Sequence, residues 1–204
     1  MPQLTPGAAG DTVREVAGDA LQVAVVNGSP SEKSKTAGLV EVILQTLTEA
    51  LAGEGIGVEA TRIDVYRLGP AFTSAVDRDT AGSDVQATLK QVEQADLLIA
   101  ATPVFRGSYT GLFKHFFDLV DQYALANKPV LLAATGGGEH HALVLEHELR
   151  PLFGFFQALT VPVAVFASAG DFDGTTLLNP RVYGRIELAV TDVLPLLVQR
   201  SRWR

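Results

Sequence analysis

Five short apolar runs, each followed by a stretch with helical periodicity, constrain this chain more than any other feature of its sequence. The runs are Leu21–Asn27, 58–63, 95–102, 130–135 and 161–167. The first, third and fourth are apolar almost throughout, which is the pattern of strands buried on both faces of a parallel sheet. Between the runs, apolar residues recur three and four apart, as on one face of a helix. Leu39, Val40, Ile43, Leu44, Leu47 and Leu51 follow the first run, and Val85, Leu89 and Val92 precede the third. Leu112, Phe113, Phe116, Phe117 and Val120 follow the third run, and Leu145, Leu149, Leu152, Phe153 and Phe156 follow the fourth. Ile186, Val190, Val193, Leu194 and Leu197 close the chain.

Repeated strand–helix alternation requires an α/β sheet with helices on both faces, because right-handed crossovers return each strand parallel to the last. Two strand orders are common, the dinucleotide-binding one and the flavodoxin-like order 2-1-3-4-5. Both place ligands beyond the carboxyl ends of the strands, where the order reverses. In the flavodoxin-like order that crevice lies between strands one and three. The expectation is a flavodoxin-like three-layer sandwich on a five-stranded parallel sheet, with the site on the loops after strands one and three.

Composition narrows the chemistry. The 204 residues fit one domain over 21–204, preceded by a loose leader over 1–20 that has no apolar run of the signal-peptide kind. No uninterrupted apolar stretch is long enough to span a membrane, so a cytoplasmic protein is expected. The net charge of -7 argues against a nucleic-acid partner. There are no cysteines, which excludes disulfides, thiolate redox chemistry and cysteine-ligated metals. Any redox function therefore needs a bound cofactor.

The loop after strand one reads Asn27-Gly28-Ser29-Pro30-Ser31-Glu32-Lys33-Ser34-Lys35-Thr36. Ser34 is placed to cap the following helix, whose N-terminal N–H groups and dipole suit a phosphate. Ser29, Ser31, Ser34 and Thr36 add hydroxyls, and Lys33 and Lys35 add positive charge. One glycine is not the Gly-x-Gly-x-x-Gly fingerprint, and no Gly-Lys-Ser/Thr triplet marks a Walker loop. A hydroxyl-rich cradle of this kind suits a terminal monophosphate such as that of FMN. The loop alone is equally compatible with an ordinary capped turn carrying solvated lysines.

The loop after strand three is Ala101-Thr102-Pro103-Val104-Phe105-Arg106-Gly107-Ser108-Tyr109-Thr110-Gly111. Proline stiffens the strand exit, two aromatics offer stacking surface, and two glycines allow backbone to approach a flat ligand. This segment resembles the ATPVY-K-x-S-Y-[ST]-G segment of NAD(P)H-dependent FMN reductases. Asn27-Gly28-Ser29-Pro30 is similar to that family's first strand and turn, Ala133-Ala134-Thr135-Gly136-Gly137 to its fourth-strand exit, and Leu149-Arg150-Pro151-Leu152 to the segment beyond. The similarity runs over about 21–195, and is nearest to the reductase components of two-component flavin monooxygenases.

The resemblance implies FMN and NADPH or NADH as cofactors, and reduced FMN supplied to a luciferase-like monooxygenase. It implies that Ser29, Ser31, Ser34, Lys35 and Thr36 hold the FMN phosphate, and that Pro103, Val104, Phe105 and Arg106 line the ribityl chain and ring edge, with Gly107 and Ser108 close by. Thr135, Gly136, Gly137 and Gly138 present bare backbone to the flavin ring, and His141 matches a histidine of the family. Phe105 and Arg106 stand where the family has tyrosine and lysine. No side-chain acid or base is needed for hydride transfer, so no catalytic residue is assigned. The His140, His141 and His147 cluster with its glutamates is not read as a metal site, since the family has none there.

Pro151 lies four residues after His147 within one helical pattern and has no N–H for that carbonyl, so the helix should be irregular there, as a π-bulge or a simple kink. The resemblance places such an irregularity at a tetramer interface near the flavin, and implies a homodimer or homotetramer. Phe153, Phe155 and Phe156 are expected to form an apolar contact surface. Two alternatives share the fold: a quinone or azo-dye reductase that retains FMN, and a one-electron carrier.

Overall fold

The computed structural model describes residues 20–203; nearly all of the expected leader, 1–19, lies outside them. Strands β1 (Leu21–Asn27), β2 (Val58–Asp64), β3 (Leu97–Pro103) and β4 (Pro129–Gly136) pair in parallel in the order 2-1-3-4. The fifth strand completes the expected order but is split. β5 (Leu159–Thr160) and β6 (Val165–Ser168) each pair with β4, at its beginning and its end. Pro162 sits in the break, where it has no N–H to give the ladder. Only β6 falls in the run expected over 161–167, β5 lies just before it, and the sheet has six strands rather than five.

Helices α1 (Lys35–Gly53) and α6 (Pro180–Ser201) cover one face of the sheet, and α3 (Ser83–Gln94), α4 (Gly111–Leu119) and α5 (Arg150–Phe155) cover the other, with the short α2 (Pro70–Thr73) beside α4. Each face has its own apolar core. Leu39, Val40, Ile43, Leu47 and Leu51 of α1 pack with Ile186, Val190 and Val193 of α6 over Val25, Ile99 and Leu131. Phe113, Phe116 and Phe117 of α4 pack with Leu89, Val92, Leu149 and Phe153 over Leu98 and Leu132. Phe117 of α4 is the hub of this core's aromatics, meeting Phe113, Phe116 and Phe153 edge-on. Of the aromatic trio expected at the surface, Phe153 and Phe156 are buried in this core and only Phe155 is exposed, because helical rotation turns neighbours to different faces.

Two local features bear on the site. One turn of π-helix spans Leu145–Leu149, one of the two irregularities that Pro151 leads one to expect. A small hairpin, β7 (Phe172–Asp173) and β8 (Thr176–Leu177), follows β6 and packs its turn against α1. Gly174 takes a positive φ of 58° in that turn.

Candidate flavin site

The register of the sheet brings the strand exits level. Asn27 pairs with Ala101, Pro103 with Thr135, and Thr135 with Ala167. The loops that leave these positions surround a cleft of about 320 Å³. Its walls are Ser29, Pro30, Ser31, Ser34, Lys35 and Thr36 from the first loop, Pro103, Val104 and Phe105 from the third, Thr135, Gly136 and Gly137 from the fourth, and Ala169 from the fifth. A larger groove of about 720 Å³ lies at the opposite edge, between Glu54 and the end of α6, away from the strand exits. The cleft has the position that an open α/β sheet gives its ligand, and the groove does not.

The first loop is built from its own hydrogen bonds. The Asn27 side chain, fully buried, accepts from Ser29 N at 3.1 Å and donates to Asp64 Oδ1 at 2.6 Å. Gly28 N donates to Ala101 O at 2.8 Å, and Thr110 Oγ1 donates to Gly28 O at 2.8 Å, which ties this loop to the third. Gly28 has no alternative: a Cβ there would stand 2.9 Å from both the Phe113 ring and Thr102 Oγ1. Ser34 caps α1 as its position suggests, accepting from Ala37 N at 3.0 Å. Lys35 N and Thr36 N take no partner among the described residues, so two N–H donors remain at the positive end of a nineteen-residue helix. Lys35 lines the cleft and forms no ion pair among the described residues.

Across the cleft, Thr36 and Thr135 share a buried hydroxyl–hydroxyl bond of 2.7 Å, and Val104 N donates to Thr135 O at 2.7 Å. These contacts fix the floor. The third loop then folds back as a tight hairpin in which Phe105 and Ser108 exchange backbone bonds of 2.8 and 3.2 Å. Arg106 and Gly107 form its tip with φ of 53° and 87°, the left-handed pair of a two-residue hairpin turn. Phe105, half-exposed, lines the cleft; Arg106 and Gly107 project beyond its lining, and Ser108 Oγ instead donates to Glu148 Oε2 at 2.9 Å.

Gly136 is held close under His141, where an added Cβ would come 2.9 Å from His141 Cβ and 3.0 Å from both the imidazole Nδ1 and the Phe166 ring. Gly137 has no atom nearer than 3.9 Å to an added Cβ, so the backbone there is open. Gly138 and His141 do not line the cleft. The His140 and His141 rings lie with centroids 4.0 Å apart, tilted at 46°, and the buried His141 Nδ1 has no hydrogen-bond partner among the described residues. Among the described residues no three His, Asp or Glu side chains gather as metal ligands.

Eleven of the sixteen residues that the sequence points to thus meet around one cleft. Arg106, Gly107, Ser108, Gly138 and His141 stand just outside it. Pro30 and Ala169 are the wall residues that sequence reasoning missed; the signal for Ala169 is the Ser168-Ala169-Gly170-Asp171 turn, where Asp171 accepts from Ser168 N at 2.6 Å and closes a capping box. The donor set fits a flavin mononucleotide. Unpaired helix N–H groups, hydroxyls and a free lysine suit a phosphate dianion, and glycine backbone beside an apolar wall suits a flat ring.

Comparison with known proteins agrees with this chemistry. Residues 21–173 match the model of the NADPH-dependent FMN reductase family. The chain is 46% identical over 173 residues to the NADH-dependent FMN reductase SfnF of Pseudomonas putida, covering 85% of this chain and 91% of that protein. It is 43% identical over 180 residues to an FMN reductase (NADPH) of Pseudomonas aeruginosa, covering 88% and 94%. A solved oxidoreductase of Corynebacterium diphtheriae superposes with a TM-score of 0.80 at 33% identity, covering 88% of this chain and 98% of that one. The extent of these matches, together with the sheet order and the cleft, makes this chain a member of the NADPH-dependent FMN reductase family, flavodoxin-like flavin oxidoreductases that use FMN and a nicotinamide nucleotide.

Proposed function

We propose that this chain reduces FMN with NADH or NADPH and releases the reduced flavin to a luciferase-like flavin monooxygenase. The observation that carries the reading is the cleft at the sheet's switch point, where the α1 N-terminus, four hydroxyl residues and Lys35 converge beside the Thr135-Gly136-Gly137 backbone. In this reading Lys35 N, Thr36 N, the Ser29, Ser31 and Ser34 hydroxyls and the Lys35 ammonium hold the phosphate. Pro103, Val104 and Phe105 pack along the ribityl chain and ring edge, with Arg106, Gly107 and Ser108 completing that loop. Gly136 and Gly137 leave one face of the ring accessible to a nicotinamide, with Gly138 and His141 behind them. FMN, when bound, supplies the hydride acceptor, and the protein supplies alignment and exclusion of water.

The name of the Pseudomonas putida relative and the openness of the cleft support a reductase that exchanges its flavin. A cytoplasmic location fits the dependence on nicotinamide nucleotides, and no helix of the described residues is long and apolar enough to cross a membrane. The exposed Phe155 beside a groove of about 600 Å³ between α4 and α5 supports a homodimer or homotetramer through that face. Steady-state oxidation of NADH and of NADPH, with and without added FMN, tests the reading. Turnover that requires added FMN is expected. Turnover by FMN that stays with the protein through gel filtration would instead indicate a quinone or azo-dye reductase, and no turnover at all would overturn the assignment.

A further inference from the structure

We propose that Glu148 is a positioning residue for the flavin: from the π turn it latches the 105–108 hairpin that forms one wall of the cleft. The inference rests on the reading that FMN occupies the cleft.

The hairpin is held weakly. Its neighbours are anchored, Val104 through Thr135 and Thr110 through Gly28. Between them, 105–109 make two backbone bonds to one another and only one hydrogen bond to the rest of the described molecule, Ser108 Oγ to Glu148 Oε2 at 2.9 Å. Arg106 occupies a left-handed conformation that L-residues adopt at a cost, and Phe105 keeps half its surface in solvent. Local openings of such a segment are inexpensive. Tyr109 packs against Phe113 at the end of the segment, and a bond to a carboxylate, sheltered by two half-buried side chains, is the polar interaction that opposes them at the hairpin itself.

The π turn explains why this carboxylate is available. Val144 and Leu149, five residues apart, are both buried. An α-helix separates residues five apart by about 140° around its axis, whereas the wider π turn stacks them on one face. The core thus fixes both ends of the turn, and Glu148, next to the buried Leu149, lies against the hairpin forty residues earlier in the chain. Glu148 also lines the groove between α4 and α5, so the latch is where that groove and the flavin wall meet.

If the hairpin must be in place for FMN to bind, apparent affinity scales with the fraction of molecules in which it is. Flavin fluorescence quenching on E148A, E148Q, S108A and the double variant S108A/E148A tests this. E148A and S108A should each weaken FMN about five- to tenfold, the effect of losing one charge-assisted hydrogen bond. E148Q should bind nearly as wild type, since its amide oxygen accepts the same bond. The double variant should bind no more weakly than either single one, and kcat of E148A at saturating FMN should stay within about twofold. Unchanged FMN affinity in E148A and S108A, or losses that multiply in the double variant, would overturn the latch. K35E separates the two levels. Weakened FMN in K35E with unchanged E148A removes the latch alone, and unchanged K35E removes the flavin reading beneath it.

Discussion

Replacing Gly38 with alanine pits two physical effects against each other, and the packing of the β7–β8 hairpin decides the sign. Gly38 is the fourth residue of α1, and alanine there favours the helix by about 1 kcal/mol. The added Cβ, however, would stand 2.0 Å from the Thr175 carbonyl oxygen and 3.2 Å from its carbon. The obstacle is backbone, so it cannot be relieved by a rotamer change, and the hairpin must retreat by more than about 1 Å to regain ordinary contact. That retreat pulls on buried Leu177, on the Leu178 N to Asp171 O bond of 2.8 Å and on the Asn179 bond to the Asp171 carboxylate. Overpacking of this kind costs up to about 3 kcal/mol, which exceeds the propensity gain. The expected net loss is about 1–2 kcal/mol, a fall in Tm of roughly 2–8 °C for a domain of this size. Thermal unfolding followed by circular dichroism reads it directly. FMN affinity should fall as well, because Ala169 of the cleft wall lies just before this hairpin. A rise in Tm of about 2–4 °C, as helix propensity alone requires, would refute the packing argument.

Two further outcomes are expected. Lys128, almost fully buried with its ammonium on the Ala95 carbonyl, is pulled down to about 8 by burial, with Arg200 adding to the effect against Asp96 and Glu93. Its folded value lies below the unfolded one, so the unfolded chain binds more protons between about pH 8 and 10.5, and this residue makes the protein more stable as pH rises through that window. Urea unfolding at pH 7.5 and 9.5 should therefore show wild type gaining on Lys128→Met (K128M) at the higher pH, and no relative gain would contradict the assignment. Ser34→Ala should cost about 1 kcal/mol of stability through loss of the α1 cap, read from the urea midpoint, and should weaken FMN binding in the same assay used for Lys35.

Much of the architecture was legible because burial on both faces leaves an uninterrupted apolar run. β1 begins and ends where its run does, and β3 and β4 differ from theirs by only one or two residues. The irregular helix was legible from one missing donor at Pro151, and the α1 cap from Ser34. Pro162 carried the signal that splits the fifth strand, but it was outweighed by the apolar residues on either side. The β7–β8 hairpin escaped because two-residue strands have no periodicity to read. Gly38, unremarkable in sequence, is explained only by that hairpin's contact with α1. At the site, loop membership identified the segments that line the cleft, but proximity along the chain says nothing about direction. Arg106 and Gly107 turn outward at a hairpin tip, and Ser108 turns to Glu148, which is distant in sequence.

The central claim is that the α1 N-terminus and Lys35 bind the phosphate of a flavin seated between β1 and β3. It is tested most directly by comparing FMN with riboflavin, which lacks only that phosphate, in fluorescence titrations of wild type and Lys35→Glu (K35E). Wild type should bind FMN at least about tenfold more tightly than riboflavin, and K35E should lose most of that preference while keeping its affinity for riboflavin. Equal affinity of wild type for the two flavins, or an FMN preference untouched by K35E, would contradict the account.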